Sequence, residues 1–404
     1  MFQHIPNYAG DPILSLMEAY QADPRTHKVN LSIGLYYDEQ QRVPQLTAIQ
    51  QAFQDLDSQL KQVKLYLPMS GLNSFNDAIQ QLVFAQAAQD VGSRTATVQT
   101  LGGSGALKLA ADFIQQFFPD SQIWLSNPTW DNHLSIFSAA GVKCNFYPYY
   151  DAKSKGVDFA AMLQCLNTLA PHSVVLLHPC CHNPTGADLT SAQWDQVIDT
   201  VKDKQLIALF DMAYQGFSQG LVQDCYAIQQ AIQADLNFIV SHSCSKIFSL
   251  YGERVGSLSI VCADIDDRVR VEGQLKSLVR KIYSSPPTTG ALLVSHVLNT
   301  PTLNLMWQQQ LEQMRLRMQD MRRALRAGLE AQIEGMDFSY LTQQQGMFSY
   351  TGLNSQQVQQ LRDDYAIYIV ASGRLCIAGL NPSNLDYVVA SLAQVIQACI
   401  PTSA

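Results

Sequence analysis

Lys246 follows a β-rich segment in which serines occupy alternate positions, Ser241, Ser243 and Ser245. Hydroxyls at alternate positions are unusual in a strand that belongs to an apolar core. A lysine at the end of such a strand is either a solvated surface residue or a desolvated amine that forms imines with carbonyl groups. The second interpretation requires other reactive groups close by.

Asp211 follows the apolar run 206–210, which predicts a buried strand. A carboxylate that emerges from such a strand is costly unless it meets a cation. The alternative is a helix N-cap, a frequent role for aspartate. Asp211 is therefore a candidate partner for a positively charged group.

A glycine-rich turn, Gly102-Gly103-Ser104-Gly105, leads from another predicted strand into a helix. Backbone N–H groups at such a helix start bind anions, typically a phosphate. The turn lacks the third glycine of the dinucleotide fingerprint and has Lys108 instead. An ordinary strand–helix turn is the alternative.

The segment HPCCHNPTG, residues 178–186, follows a fourth predicted strand. Its two histidines and two cysteines invite a zinc interpretation, but zinc ligands usually come in pairs from two separated arms, and no second cluster with matching spacing follows. The Asn-Pro-Thr-Gly turn is more specific, because it presents the amide of Asn183 at a strand end.

Together these strand ends supply a lysine, an aspartate, an arginine (Arg254), several hydroxyls and the amides of a helix start. That set fits pyridoxal 5′-phosphate. The lysine would form an imine with it, the carboxylate would keep its pyridine nitrogen protonated, and the other groups would bind its phosphate and ring oxygen.

Short β-rich runs alternate with amphipathic helical patterns between residues 97 and 262, which predicts an α/β domain with a mostly parallel sheet. Ligand sites in such sheets gather beyond the carboxyl ends of the strands, where the polar residues lie. The seven predicted strands are Thr97–Leu101, Gln122–Leu125, Lys143–Tyr147, Val174–His178, Ile207–Phe210, Phe238–Ser241 and Gly256–Val261.

A different pattern follows toward the C-terminus. One long helix is predicted from about residue 302 to 333, and a last helix begins near Pro382. The short strands predicted between them are Phe348–Tyr350, Tyr368–Val370 and Leu375–Ile377. We interpret this part as a smaller second layer. Where residues 1–45 pack is not determined by the pattern.

Composition restricts the class of protein. The 404 residues are 47% apolar and carry a formal net charge of −8, which disfavours roles at nucleic acids and anionic membranes. No apolar run approaches the ~18–20 residues of a membrane span, and the N-terminus lacks the basic region of a signal peptide. Nine irregularly spaced cysteines are typical of reduced thiols, so we expect a cytoplasmic protein.

The sequence resembles the aspartate/aromatic aminotransferase family, whose members have fold type I of the pyridoxal-phosphate enzymes, and the likeness covers essentially the whole chain. It is most similar to bacterial aromatic-amino-acid (tyrosine) aminotransferases, which share the sequence motifs IGLYY, LGGSGALK and HPCCHNPTGADLT. The resemblance is carried by AGDPIL, VNLSIGLYY, YLPMSGL, LGGSGALK, NPTWDNH, HPCCHNPTG, FDMAYQGF, SKIFSLYGERVG, YSSPP and ASGRLCIAGL.

The resemblance implies a role for each residue around the cofactor ring. Lys246 would form the imine and later move a proton, and Asp211 would pair with the pyridine nitrogen. Tyr214 and Asn183 would hydrogen-bond the ring oxygen, which lowers the pKa of the imine. Trp130 would stack on the ring face.

The resemblance also implies the surrounding contacts. His133 would support Asp211, and His178 would complete the surroundings of the ring. Tyr66 from the neighbouring subunit would join the residues that bind the phosphate, which are Gly103, Ser104, Ser243, Ser245 and Arg254.

For the substrate, the resemblance implies that Arg374 grips the α-carboxylate through a bidentate pair. Arg280 from the other subunit would bind the distal carboxylate of a dicarboxylic substrate, and Gly34 would allow close approach over the substrate. Trp130 and Asn183 would also contact it. The implied assembly is a homodimer with shared active sites.

The implied reaction is a ping-pong transfer of the amino group between L-aromatic amino acids, and also aspartate or glutamate, and 2-oxoglutarate. Three alternatives stay open: an aminotransferase strictly specific for aspartate with the same residues, a lyase or decarboxylase on the same fold, and a non-catalytic cofactor-binding regulator. The last would require a DNA-binding module, for which residues 1–45 are too few.

The resemblance implies an arm to the partner subunit over residues 1–12, a small domain formed by 13–45 and 313–404, and a large cofactor-binding domain over 46–312. Two positions depart from the family pattern. Gly102 replaces a serine of aspartate-specific relatives, and Cys244 replaces a phenylalanine. The family also has cis peptide bonds at the positions of Asn127-Pro128 and Asn183-Pro184.

Overall fold

The computed structural model describes residues 1–6, 10 and 12–398, which divide into two compact units. One unit is residues 44–317 and the other combines residues 1–43 with 318–404. The predicted arm over residues 1–12 includes positions 7–9 and 11, which lie outside the described residues, as does the end of the predicted small domain, 399–404. The predicted domain boundaries stay a prediction.

The helices range from single turns to the long α13, which crosses the boundary between the two units. In chain order they are α1 (Pro12–Ala22), α2 (Thr47–Asp55), α3 (Asp57–Leu60), α4 (Asn73–Phe84), α5 (Ala88–Val91), α6 (Gly102–Phe117), α7 (Asp131–Ala139), α8 (Phe159–Asn167), α9 (Ser191–Asp203), α10 (Tyr226–Gln233), α11 (Ile265–Ile282), α12 (Thr289–Asn299), α13 (Pro301–Gln332), α14 (Tyr340–Gln343), α15 (Ser355–Tyr365) and α16 (Leu385–Gln397).

The strands form one large sheet and three two-stranded sheets. In chain order they are β1 (Val29–Asn30), β2 (Thr95–Leu101), β3 (Gln122–Asn127), β4 (Lys143–Pro148), β5 (Tyr150–Asp151), β6 (Gly156–Val157), β7 (Val174–Leu177), β8 (Ile207–Met212), β9 (Phe238–Ser243), β10 (Val255–Val261), β11 (Phe348–Tyr350), β12 (Ile367–Tyr368) and β13 (Arg374–Cys376).

The large sheet has seven strands in the order β2-β10-β9-β8-β7-β3-β4. Strand β10 is antiparallel to both neighbours, and the other pairs are parallel. Strand β7 is buried along its whole length, as expected for a parallel strand covered on both faces. The predicted α/β class with a mostly parallel seven-stranded sheet is confirmed.

All seven predicted strands are present; six are one or two residues longer than predicted, and β7 is one residue shorter. β8 continues through Met212 and β9 through Ser243, because the ladder pairs Asp211 with Ser241 and Met212 with His242. Asp211, which was predicted to follow its strand, therefore lies within β8, and both strands end two residues later than predicted.

Local sequence explains where several helices begin. α6 starts at Gly102, so the glycine-rich segment that was predicted as a turn before the helix forms its first turn. α9 begins with a capping box, in which Thr190 and Gln193 bond each other's backbone N–H. α6 packs on β9 and β10, and α11 packs on α6 and β2, which encloses one face of the sheet.

The unit that contains both termini is built from pairings between distant segments. β1 pairs in parallel with β12, which places Val29 and Asn30 beside Ile367 and Tyr368, and β11 pairs antiparallel with β13. Strand β12 begins one residue before the predicted Tyr368–Val370 segment and is one residue shorter. Strand β13 begins and ends one residue before the predicted Leu375–Ile377 segment.

Across the described part of the chain, no helix combines the length and hydropathy that a bilayer crossing needs. None of the eight cysteines in that part forms a disulfide.

Candidate active site

Asp211 is the centre of a buried hydrogen-bonded group in unit 44–317. His133 Nε2 lies 3.0 Å from Asp211 Oδ2, and His133 Nδ1 lies 2.8 Å from the hydroxyl of Thr129. Because the carboxylate can only accept, Nε2 carries the proton and Nδ1 accepts the threonine O–H. Ser241 donates to the other carboxylate oxygen at 3.3 Å.

This group keeps the Asp211 carboxylate charged. Burial by itself would raise its pKa, but the hydrogen bond from His133 and the nearby positive charge of Lys246 hold the pKa of Asp211 below its usual value. A charged carboxylate in a buried place favours a protonated nitrogen opposite it. This is the role that the resemblance implies for Asp211.

Lys246 lies close to Tyr214, with its Nζ atom 5.0 Å from the centre of the tyrosine ring. The backbone after it is fixed by α13, because Trp307 donates from Nε1 to the carbonyl of Ile247 at 2.7 Å and stacks on Phe248 at 4.6 Å. The amine is thus placed by a buried aromatic contact rather than by a flexible surface turn.

Tyr214 and Asn183 meet at the carboxyl ends of β8 and β7. Asn183 Nδ2 donates to the Tyr214 hydroxyl at 3.4 Å, and both side chains are buried. The Asn127-Pro128 and Asn183-Pro184 peptide bonds are cis, as the resemblance implies. The structure brings together the amide and phenol that the sequence analysis assigns to one ring oxygen.

The start of α6 and the loop before β10 form a cationic, hydroxyl-lined surface. Arg254 Nη1 donates to Ser245 Oγ at 3.4 Å, and Ser243 Oγ accepts from the Ser245 N–H at 3.3 Å. A Cβ on Gly102 would lie 2.7 Å from Arg254 Nη2, so this position must be small for the guanidinium to approach the helix start.

A Cβ on Gly103 would lie 3.1 Å from the Cβ of Ser243, which places the first turn of α6 against the end of β9. Helix-start amides, hydroxyls and one guanidinium are the donors that a phosphate dianion takes. These residues, including Ser104 in the same turn, fit the phosphate of the implied cofactor.

Trp130 is the N-cap residue of α7 and lies edge-on to His133 at 5.2 Å. The ring of His178 follows at 5.3 Å from His133, and that of His182 lies 4.6 Å from His178. Burial lowers the pKa of His178 to about 3, so this ring is neutral. The predicted neighbours of the ring site thus form one aromatic row.

The zinc interpretation of residues 178–182 does not match their placement. His182 is hydrogen-bonded through both nitrogens, to Ser126 at 2.9 Å and Thr185 at 2.8 Å. Among the described residues, the two convergent sets are His133, His178 and Asp211, and Cys180, Cys181 and Asp224. The two histidines and two cysteines of the motif therefore belong to no common set.

Tyr66 and Arg280 lie apart from the buried group, on the surface of the same unit. Tyr66 is 94% exposed, in a segment where Val63 and Leu65 are also exposed. Arg280 is exposed in the last turn of α11, where its guanidinium donates to Ser284. The resemblance assigns both residues to the site of a second subunit.

The second unit, residues 1–43 with 318–404, contains the two remaining candidates. Arg374 is 4% exposed, donates to the carbonyl of Ser32 at 2.8 Å and lies over the ring of Phe348 at 4.3 Å. A Cβ on Gly34 would lie 2.9 Å from Phe348 Cζ. The ring of Phe348 therefore packs against both predicted residues.

Sequence reasoning missed three groups of this arrangement. Thr129, which orients His133, is four residues before it in the chain, a spacing that a helix-start motif could have indicated. Phe348 was predicted only as a strand residue. Asp188, directly after the NPTGA turn, is a carboxylate in an otherwise apolar stretch, and that signal was available.

Comparison with known proteins gives a consistent result. The family model for aminotransferase class I and II matches residues 26–392. The chain is 51% identical to the aromatic-amino-acid aminotransferase of Escherichia coli K12 over 98% of this chain and 100% of that protein. It is 45% identical, with the same coverage, to an aspartate aminotransferase of Pseudomonas aeruginosa.

A solved structure extends the likeness to three dimensions. The aromatic-amino-acid aminotransferase from Burkholderia pseudomallei covalently bound to pyridoxal phosphate superimposes with a TM-score of 0.95 at 44% identity. The match covers 98% of this chain and 99% of that structure.

Proposed function

The chain belongs to the class I and II aminotransferase family, and we propose that it moves the amino group between L-aromatic amino acids and 2-oxoglutarate with pyridoxal 5′-phosphate. The observation that carries the proposal is the buried group around Asp211, Tyr214 and Lys246, which offers a charged carboxylate and an amine at neighbouring strand ends. Aspartate and glutamate are further substrates in this proposal.

Bound pyridoxal phosphate supplies an aldehyde that condenses with amines and a ring that withdraws electrons from the substrate Cα. Asp211, kept charged by His133, would hold the proton on the pyridine nitrogen. Asn183 and Tyr214 would orient the ring through its oxygen, and Trp130 would cover one face. Lys246 Nζ would hold the cofactor and would move the proton at the substrate Cα.

The phosphate is held by the first turn of α6 and by side chains from the end of β9 and the loop before β10. Support comes from the close approach of Arg254 to Gly102, which leaves helix amides and a guanidinium side by side. The residues that we assign to the phosphate are Gly103, Ser104, Ser243, Ser245, Arg254 and, from the second subunit, Tyr66.

Arg374 binds the substrate α-carboxylate in this proposal, and Gly34, which has no side chain, lets the backbone approach the substrate closely. The buried guanidinium is pre-oriented by Ser32 and by the ring of Phe348, which reduces the entropy lost when it grips a carboxylate. Arg280 of the second subunit binds the distal carboxylate of aspartate or glutamate and turns aside for an aromatic ring.

The enzyme is a homodimer with shared sites in this proposal. Support comes from the exposed apolar segment around Tyr66, which a second copy would cover. We place the protein in the cytoplasm, since its cysteines are irregularly spaced and form no disulfide among the described residues.

The test is direct detection of both products. Purified protein loaded with the cofactor is incubated with L-phenylalanine and 2-oxoglutarate, and mass spectrometry measures phenylpyruvate and glutamate. Equal amounts of the two products are expected, with none from Lys246→Ala and normal amounts from Lys202→Ala, an exposed lysine on α9. Release of CO₂ or ammonia in place of glutamate would contradict transamination.

An enzyme strictly specific for aspartate is the second candidate. It is favoured by the relative named aspartate aminotransferase, which is 45% identical over the same length. The two candidates differ in the rate with phenylalanine, because the same site residues serve both.

A further inference from the structure

Two carboxylates outside the proposed catalytic group are joined to the loops that follow β7 and β8. Asp188 lies in the 178–190 loop, which carries Asn183, and Asp224 lies in the single 3₁₀ turn Gln223–Cys225. Neither forms an ion pair within the described residues, and Asp224 is only 3% exposed. Enclosed charges of this kind are expensive unless several donors surround them.

Asp188 closes its own loop. Its Oδ1 accepts the backbone N–H of His182 at 2.8 Å and its Oδ2 accepts that of Cys181 at 2.7 Å. Cys181 has a positive φ of 52°, so the chain turns sharply there. These two donors belong to the residues directly before Asn183, and their bonds to Asp188 therefore determine where the Asn183 amide is presented.

Asp224 does the same for the neighbouring loop. Its Oδ2 accepts the backbone N–H groups of Gly216 at 2.8 Å and Ser218 at 3.1 Å, and its Oδ1 accepts that of Gln219 at 2.8 Å. The loop contains Tyr214, whose carbonyl accepts from the N–H of Phe217 at 3.0 Å. One carboxylate thus fixes the turn that carries the tyrosine.

Ser218 links the loop held by Asp188 to the loop held by Asp224. Its backbone N–H donates to Asp224, while its hydroxyl donates to Asp188 Oδ2 at 3.3 Å. At the opposite end, the Asn183 amide meets the Tyr214 hydroxyl at 3.4 Å. The contacts form a closed circuit from Asn183 through Asp188, Ser218 and Asp224 back to Tyr214.

We propose that Asp188 and Asp224 form a carboxylate pair that positions Asn183 and Tyr214 against the ring oxygen of the cofactor. They are positioning residues, since they act through the backbone of two loops and touch neither substrate nor cofactor. This inference rests on the proposed function, because it assigns the two positioned side chains to that oxygen.

Carboxylates suit this role because they accept at both oxygens. Asparagine has nearly the same shape but places an amide NH₂ opposite at least one backbone N–H, so that two donors face each other. The substitution therefore loosens one loop without creating a cavity. The nearby cation, Arg315, donates to the carbonyl of Ser218 at 3.5 Å and forms its ion pair with Glu312.

The test follows the bound cofactor by absorbance. Asp188→Asn and Asp224→Asn are loaded with pyridoxal 5′-phosphate, and the pH midpoint of the bound absorption band and the dissociation constant of the cofactor are measured. Two hydrogen bonds to the ring oxygen favour its charged form, so loosening them should raise the midpoint by about 0.5–1 pH unit. The cofactor should also bind several-fold more weakly.

Asp199→Asn is the matched control, because Asp199 is an exposed carboxylate on α9; its midpoint should equal that of the wild type. In an Asn183→Ala background, Asp188→Asn should add little further shift, since its effect passes through Asn183. If the Asn variants fail to fold, Ser218→Ala decides, because it keeps both carboxylates and removes only the hydroxyl between them.

Folded variants with the wild-type midpoint and affinity would overturn the inference. Full additivity with Asn183→Ala would also overturn it, since a merely structural role would act independently of that amide. If the wild-type protein itself takes up no absorbing cofactor, the proposed function fails instead. The two failures are therefore distinguishable.

Discussion

At the scale of single residues, the charge of each side chain is set by its nearest neighbours. Asp211 stays charged in a buried place because His133 donates to it and Thr129 fixes the tautomer of that histidine. Asp211 and His133 were identified from the sequence, but Thr129 was not, and the hydrogen bond between His133 and Asp211 joins residues 78 positions apart in the chain.

Arg280 is the residue on which substrate choice depends in the proposed function. Arg280→Leu should lower kcat/KM for aspartate by about 30- to 5,000-fold, since loss of a charge partner for a desolvated carboxylate costs about 2–5 kcal/mol. Phenylalanine carries no distal charge, so its kcat/KM should change less than about tenfold. Steady-state kinetics with both substrates measure the difference.

The matched control is Arg270→Leu, an exposed arginine on the same helix. It should leave both substrates unaffected. An equal loss for aspartate and phenylalanine in Arg280→Leu would show that this arginine does not select the distal carboxylate.

His242 gives a prediction about stability at low pH. Its ring is buried, neither nitrogen has a hydrogen-bond partner among the described residues, and burial lowers its pKa to about 4. In the unfolded chain the same ring binds a proton near pH 6.5. The contribution of the neutral, buried ring to the free energy of unfolding is therefore fully present above pH 6.5 and is lost as the pH falls toward 4. The loss is at most about 1.4 kcal/mol per pH unit.

Replacement by a side chain that does not titrate should flatten this dependence. Unfolding temperatures of the wild type, His242→Gln and His4→Gln, an exposed position, are compared at pH 7, 6 and 5. His242→Gln should lose less stability than the wild type over that range, and His4→Gln should follow the wild type. Parallel curves for all three proteins would show that His242 does not titrate between the folded and unfolded states.

At the scale of elements, local pattern predicted the seven strands of the large sheet, because each is a short apolar run between turns. The ends of β8 and β9 could not be predicted, since they depend on the pairing of Asp211 with Ser241. β1 and β12 are two residues each and exist only through pairing between residues 338 positions apart in register, Val29 with Ile367. The carboxylate pair likewise needs the fold to bring its loops together.

Arg322 shows how one side chain can hold an element. It is 2% exposed and donates to the carbonyls of Leu341, Gln345, Gly346 and Phe348. β11 begins at Phe348 and pairs with β13, which begins at Arg374. Arg322 thus fixes the strand whose ring lies against the proposed carboxylate-binding arginine.

Arg322→Met should destabilise the protein by about 2–4 kcal/mol, because several buried carbonyls lose their donor. KM for every substrate should rise about tenfold while the affinity for the cofactor stays unchanged. Arg323→Met, its exposed neighbour on α13, should change stability by less than about 0.5 kcal/mol. Weaker cofactor binding in Arg322→Met with an unchanged KM would contradict this assignment.

At the scale of the whole molecule, the shared sites of the proposed dimer can be tested by complementation. Lys246→Ala and Arg280→Leu chains, each poorly active with aspartate alone, are refolded together with different tags. If Arg280 serves the site of the other subunit, each hybrid has one intact site. Random pairing then gives about one quarter of the wild-type activity. Activity no greater than that of the separate variants would place Arg280 in the site of its own chain.

The most direct test of the account is the half-reaction without any oxo acid. Protein loaded with pyridoxal 5′-phosphate is mixed with L-phenylalanine or L-aspartate, and the absorption band of the bound cofactor is followed by stopped flow. We predict that the band is lost with both substrates at comparable rates, because in the proposed function Arg374 binds the α-carboxylate of both and Arg280 turns aside for the aromatic ring. Loss with aspartate alone would contradict the aromatic assignment, and the absence of a band would contradict the cofactor site itself.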